Sequence, residues 1–257
     1  MTAATEQSAE GQTERILGLP IRSMAPERCV AELDTLVEQA PVRLGFVNIN
    51  TAYLIANDPA YQDALRRFVL LNDGVGLDLV SLVLHGRAFS HNLNGTDFVP
   101  HYLRSTRHSY RVFLLGAKPG IADAALEVLR KLAPQHEYVG SRHGYFTSEE
   151  NEAVLQRIRD ARADVVIVAL GNPGQEMWIA SNTERSGAKL AIGVGALFDF
   201  LTGTVSRAPL WVRKARLEWL YRLMQEPKRL AMRYCVYAPA VLFRAIAFGN
   251  GNQRRSS

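Results

Sequence analysis

Apolar, β-prone runs recur along the chain at 44–49, 68–71, 112–115, 165–170 and 190–194, and helix signals lie between them. Asp58-Pro59 reads as an N-cap followed by proline at the first helical position, opening a helix over 61–67. Thr147-Ser148-Glu149-Glu150 reads as a capping box ahead of Val154, Leu155 and Ile158, which share one helical face. Strand runs that are apolar throughout, separated by helices, predict a mostly parallel sheet covered on both faces. The expected fold is therefore α/β and Rossmann-like, with helices flanking the sheet. No internal repeat or low-complexity block interrupts it.

The 257 residues give ample sequence for a full hydrophobic core, and 47% hydrophobic against 21% charged content is that of a globular chain. Cys29 and Cys235 are the two cysteines, too few for a disulfide framework or a cysteine-based zinc site; a reducing compartment is the simplest reading. No stretch approaches 18 uncharged apolar residues, so no spanning helix is expected. Met1 to Arg15 is polar and lacks the apolar core of a secretory signal. Residues 1–14 read as a disordered tail, 15–206 as an α/β catalytic domain and 207–257 as a basic helical appendage.

Charge separates that appendage from the body. Residues 207–257 hold eleven cations against Glu218 and Glu226, a local net of +9, which leaves −4 on the other 206 residues. A basic segment rich in Trp, Tyr, Leu and Met suits an anionic partner: a membrane surface, a phosphate ligand or a nucleic acid. The acidic body and the absence of a nucleic-acid motif argue against the last. At helical spacing Leu210, Leu217, Tyr221 and Met224 form one apolar stripe, with Val212, Ala215, Trp219 and Leu223 nearly opposite. Such a helix needs two apolar neighbours: the body, and either a further helix or a bilayer interface. Pro227 opens a second helix, with Arg229 and Arg233 one turn apart. The runs 240–243 and 245–248 are apolar enough to enter a headgroup layer.

In a doubly wound sheet, ligands bind beyond the carboxyl ends of the strands. Three expected strands end in glycine-bearing turns, at Gly116 to Gly120, Gly171 to Gly174 and Gly195. Such turns suit backbone approach to phosphate at a helix N-terminus, and they equally suit a turn that simply requires positive φ. Neither a dinucleotide fingerprint nor a Walker A loop occurs. Asp73, in Asn72-Asp73-Gly74-Val75-Gly76, is a carboxylate at a strand end, suited to act as general base or to shape the turn. Asp199 is a second candidate, and Asp97 reads as a helix cap. The histidines do not cluster at ligand spacing and no D-x-D pair exists, so neither a metal nor another cofactor is expected. A bound diphosphate would then be met by arginines and backbone N–H groups.

Taken in order, these motifs make the chain resemble the WecG/TagA/CpsF family of glycosyltransferases over roughly 45–233. The resemblance rests on Asn48-Ile49-Asn50, Asn72-Asp73-Gly74-Val75-Gly76, Gly95-Thr96-Asp97, Val112 to Gly116 and Gly144-Tyr145-Phe146. It continues through Leu170 to Glu176, Val194 to Asp199, Gly203 to Pro209, Glu218 to Arg222 and Glu226 to Arg229. It implies metal-independent, inverting transfer of a sugar from a UDP donor to a polyprenyl-diphosphate-linked sugar in cell-surface polysaccharide synthesis. The work would be done at the cytoplasmic face of the membrane by a peripheral protein. It further implies Asp73 as base. Asn48, Asn50, Gly116, Gly171, Gln175, Glu176, Gly195, Asp199 and Arg207 would lie at the donor site, with Arg222, Arg229 and Arg233 on the diphosphate. Asn48 replaces a threonine common in the family, and Asn92-Leu93-Asn94 stands where many members carry a basic residue. Both departures bear on the donor sugar: N-acetylmannosaminyl, glucosyl and uronyl donors all occur. The alternative is a non-catalytic nucleotide-binding, membrane-docking module. The oligomeric state is left open, a homo-oligomer included.

Overall fold

A computed structural model of the chain describes residues 11–206 and 232–253, together with Val212, Tyr221 and Met224. The apolar runs form β3 (Val42–Val47), β4 (Val69–Asn72), β5 (Arg111–Gly116), β7 (Val165–Ala169) and β8 (Leu190–Gly193). Alternate residues of a run serve opposite faces, as strand geometry requires. Val112 and Leu114, Val165 and Ile167, and Leu190 and Ile192 enter one core. Phe113 and Leu115, Val166 and Val168, and Ala191 enter the other. Burying each such Val, Leu or Ile is worth about 1.5–3 kcal/mol. A one-residue slip would exchange the two sets, so burial on both sides fixes the register.

Three more strands, β1 (Gln12–Ile16), β2 (Leu19–Ser23) and β6 (Glu137–Arg142), lie toward the sheet's edges. Their alternate positions are partly exposed, so they carry no continuous apolar run. β1 opens at Gln12, so residues 12–14 of the expected tail belong to the sheet, while 1–10 lie outside the described residues. The strand order is β1-β2-β4-β3-β8-β7-β5-β6. β1 and β2 form an antiparallel hairpin, and every other pairing is parallel. From β5 the chain moves outward to β6, whereas from β7 it returns inward to β8. The sheet therefore changes direction between β5 and β7, where a doubly wound fold opens its ligand crevice.

One face carries α1 (Pro26–Gln39), α5 (Gly95–Ser105), α6 (Ile121–Leu132) and the short α9 (Leu197–Leu201). The other carries α2 (Ile49–Asn57), α3 (Pro59–Leu65), α4 (Val75–His85), α7 (Asn151–Asp160) and α8 (Gly174–Ser186). Asp58 caps α3 as expected, accepting from the N–H groups of Ala60 and Tyr61. At the expected Thr147 box, Glu150 accepts from the Thr147 N–H at 2.8 Å, but this bond closes a turn ahead of α7: the helix starts at Asn151, Glu150 is its N-cap residue, and no side chain caps it.

A π-helical turn, Arg233–Tyr237, leads into α10 (Ala238–Gln253). Val241 and Ala245 of α10 join the core shared by α2 and α4, and Tyr237 stacks on Tyr53 with centroids 4.0 Å apart. The described side chains of the apolar runs, those of 240–243 and 245–247, are thus divided between two surroundings. One side of α10 packs on the body, and Phe243, 76% exposed, and Ile246 face outward. Of the doubly striped segment, Val212 is buried and Met224 exposed; the rest of 207–231, Tyr221 apart, lies outside the described residues.

Candidate active site

The parallel pairing of β3 with β4 ends at Val47 opposite Asn72, so the next residues, Asn48 and Asp73, emerge side by side. The Asp73 N–H donates to the Val47 carbonyl at 2.8 Å, extending the ladder one step. Asn48 leaves the strand and caps α2: its Oδ1 accepts from the N–H groups of Asn50 and Thr51 at 3.0 and 3.2 Å. The Asn48 Nδ2 donates to Asp73 Oδ2 at 3.3 Å. Beyond Asp73, Gly74 turns at a φ of +89°, and its N–H donates to Asn92 Oδ1 at 2.9 Å. The half-buried Asp73 is therefore held between two fixed backbone segments.

Across the crevice, the turns after β5, β7 and β8 meet. Gly116 has a φ of +131°, and a Cβ there would sit 2.3 Å from the Ala169 carbonyl oxygen. Close approach of β5 to β7 therefore demands this glycine. Gly171 and Gly195 also have positive φ, but a Cβ on either would meet open space. Gln175, in the first turn of α8, bridges two turns: its Oε1 accepts from the Gly195 N–H at 2.9 Å. Asp199 lies in α9, half-buried. Asn94, not Asp97, caps α5; Asp97 completes the reciprocal pair by accepting from Asn94 Nδ2 at 3.0 Å.

These segments enclose a cleft of about 830 Å³. Asn48, Asn50, Asp73, Gly171, Gln175, Gly195 and Asp199 all line it. Gly116 and Glu176 do not; Glu176 is buried behind the wall, and burial pushes its carboxyl above the usual carboxylate range. Arg207, Arg222 and Arg229 lie outside the described residues, as does the side chain of Arg233. The cleft adds Asn92, Lys118, Tyr145 and Asn172, which sequence reasoning did not assign to the site. Lys118 and Asn172 lie in the two glycine turns already singled out, so position after a strand was the available signal. Among the described residues, the lining carries Asp73, Asp78 and Asp199 against the single cation Lys118. Also among the described residues, no three His, Cys, Asp or Glu side chains come together to hold a metal ion.

A cleft at the carboxyl edge of a doubly wound sheet, with a carboxylate on one side and glycine turns on the other, defines a Rossmann-like α/β protein with a strand-end site. Residues 14–255 match the family model described as Glycosyl transferase WecG/TagA/CpsF family, and the chain belongs to that family. It is accordingly a glycosyltransferase, with a sugar donor and an acceptor as substrates.

Proposed function

We propose that the protein moves a sugar from a UDP-sugar to a polyprenyl-diphosphate-linked sugar, with inversion, in cell-surface polysaccharide synthesis. The observation that carries this reading is the Asp73 carboxylate, oriented by Asn48 inside a cleft whose opposite wall offers glycine turns and amides. Asp73 takes the proton of the acceptor hydroxyl as that oxygen attacks the anomeric carbon. The bond from that carbon to the UDP oxygen breaks on the opposite face, and its electron pair leaves with the diphosphate. Asn48, Asn50, Gly171, Gln175, Gly195 and Asp199 form the donor side, and an N-acetylmannosaminyl, glucosyl or uronyl group is the sugar moved.

The leaving diphosphate needs positive charge, and the described lining supplies one lysine beside three aspartates. Turn N–H groups and the arginines of the +9 segment, Arg207, Arg222, Arg229 and Arg233, meet that need, without a metal ion. Cations of this kind in a dry site supply several kcal/mol of transition-state stabilisation, to order of magnitude. The same segment holds the protein peripherally on the inner face of the cell membrane. Its charge, the outward Phe243 and Ile246, and the lack of a membrane-crossing helix among the described residues support this placement. Four cations near an anionic leaflet contribute about 4 kcal/mol.

Thermal unfolding with a panel of UDP-sugars tests the donor, since a ligand bound to the folded state raises stability by mass action. UDP release on adding a polyprenyl-diphosphate-linked acceptor tests turnover. Protection by UDP-sugars without UDP release would make the protein a binding module.

A further inference from the structure

Behind the cleft wall lies a buried polar chain whose central member does not reach the cleft. Gln175 is 4% exposed, Glu176 1% and Tyr61 0%. Glu176 Oε1 accepts two hydrogen bonds, from Asn172 Nδ2 and from Gln175 Nε2, each at 2.6 Å. Gln175 turns its other amide atom, Oε1, to the Gly195 N–H. An unbroken run of hydrogen bonds thus joins the turn after β7 to the turn after β8, and Glu176 is its middle link. A Cβ at Gly193 would stand 3.1 Å from Gln175 Nε2, so glycine at that position leaves room for the amide. On its far side, Glu176 Oε2 and the Tyr61 hydroxyl are both buried, and neither makes a hydrogen bond of normal geometry. Glu176 is therefore buried and directed at two cleft-lining amides.

We infer that Glu176 is a positioning residue: it fixes the amide orientations of Gln175 and Asn172, and through them the spacing of the Gly171 and Gly195 turns, without touching substrate. The reason lies in donor and acceptor inventory. A glutamine amide can rotate by 180°, and only one orientation places oxygen toward the Gly195 N–H. A fixed acceptor on the Nε2 side selects that orientation. The inference rests on the donor-site reading only for its effect on catalysis.

Reach, not charge, is what this role requires, and two substitutions separate them. Glu176→Gln keeps side-chain length and an acceptor oxygen. Glu176→Asp keeps the carboxyl but withdraws it by one methylene. The expected result is KM for UDP-sugar and kcat within about threefold of wild type in E176Q. In folded E176D, KM should rise about tenfold or more, in line with the cost of small misplacements in a site. Hydrogen exchange at the Gly195 amide, in protein without ligand, should be slow in wild type and E176Q and faster in E176D. Equal KM and equal Gly195 exchange in wild type and E176D would overturn the positioning role. So would an active E176D beside a folded but inactive E176Q, because the charge would then be the working feature. If E176D does not fold, E176Q decides: near-wild-type kinetics and exchange support the role, and a folded E176Q that has lost both overturns it. Wild-type protein that binds no UDP-sugar overturns the donor-site reading alone, while exchange at Gly195 in the same three proteins still decides the positioning role.

Discussion

The Nδ2 of Asn48 lies 3.3 Å from Oδ2 of Asp73, while the Oδ1 of the same amide caps α2. One side chain therefore starts a helix and aims a carboxylate. The β3–β4 register makes both possible by bringing the two strand ends level.

Those two roles of Asn48 separate by substitution. Serine preserves an N-cap acceptor but carries no amide to meet Asp73. Asn48→Ser should melt within about 2 °C of wild type and turn over about tenfold more slowly. Asn48→Ala should lose the cap as well, about 1 kcal/mol, and melt a further ~2–4 °C lower. Thermal denaturation beside initial rates measures both.

The glycine turns divide in the same manner. At Gly116 a methyl group would press into the Ala169 carbonyl, and the φ of +131° is itself unfavourable for any other residue. Gly116→Ala should cost more than about 3 kcal/mol and give little folded protein. At Gly195 the added methyl meets open space, so Gly195→Ala should fold at a cost of about 1–2 kcal/mol. It should lose UDP affinity, because its methyl would occupy the space the ligand needs. Melting curves and titration calorimetry with UDP distinguish the two glycines; a G116A variant with wild-type stability would refute the packing argument.

Much of the fold was legible because its central strands are buried on both faces. Val165–Ala169 is apolar at every position, whereas β1 and β6 mix exposed and buried residues and leave no such trace. The lining of the cleft was legible where it follows from position after a strand, as at Asp73, Gly171 and Gly195. It was not legible where neighbours differ in direction. Gln175 and Glu176 are adjacent in sequence, but α8 turns only Gln175 to the cleft. Gly116 and Gly171 look alike as letters, and only the distance to Ala169 separates a packing glycine from a lining one. Asp97 stands three residues inside the boundary rather than at the cap, because Asn94 accepts from its N–H and the two side chains form one reciprocal pair.

His136 ties stability to pH on the acid side. It is buried, its Nδ1 accepting from the Tyr110 N–H at 3.1 Å and its Nε2 at 2.7 Å from the Leu103 carbonyl. This arrangement satisfies the neutral ring, and burial lowers its pKa from 6.5. The unfolded chain therefore takes up a proton before the folded one does. The stabilising contribution is complete above the unfolded pKa and is lost as pH falls through the folded value, at up to ~1.4 kcal/mol per pH unit. Between pH 7 and pH 5, the fall in melting temperature should be steeper in wild type than in His136→Gln. Parallel curves would show that His136 does not carry this dependence.

The most direct test of the account is transfer by Asp73→Asn. The new amide can present its oxygen to Asn48 Nδ2, so the local geometry survives while the base is lost. Sugar transfer should fall about 10²- to 10⁴-fold with UDP binding essentially unchanged. A D73N protein that keeps more than about a third of wild-type turnover would contradict the assignment of Asp73 as the base, since general-base catalysis contributes far more than that.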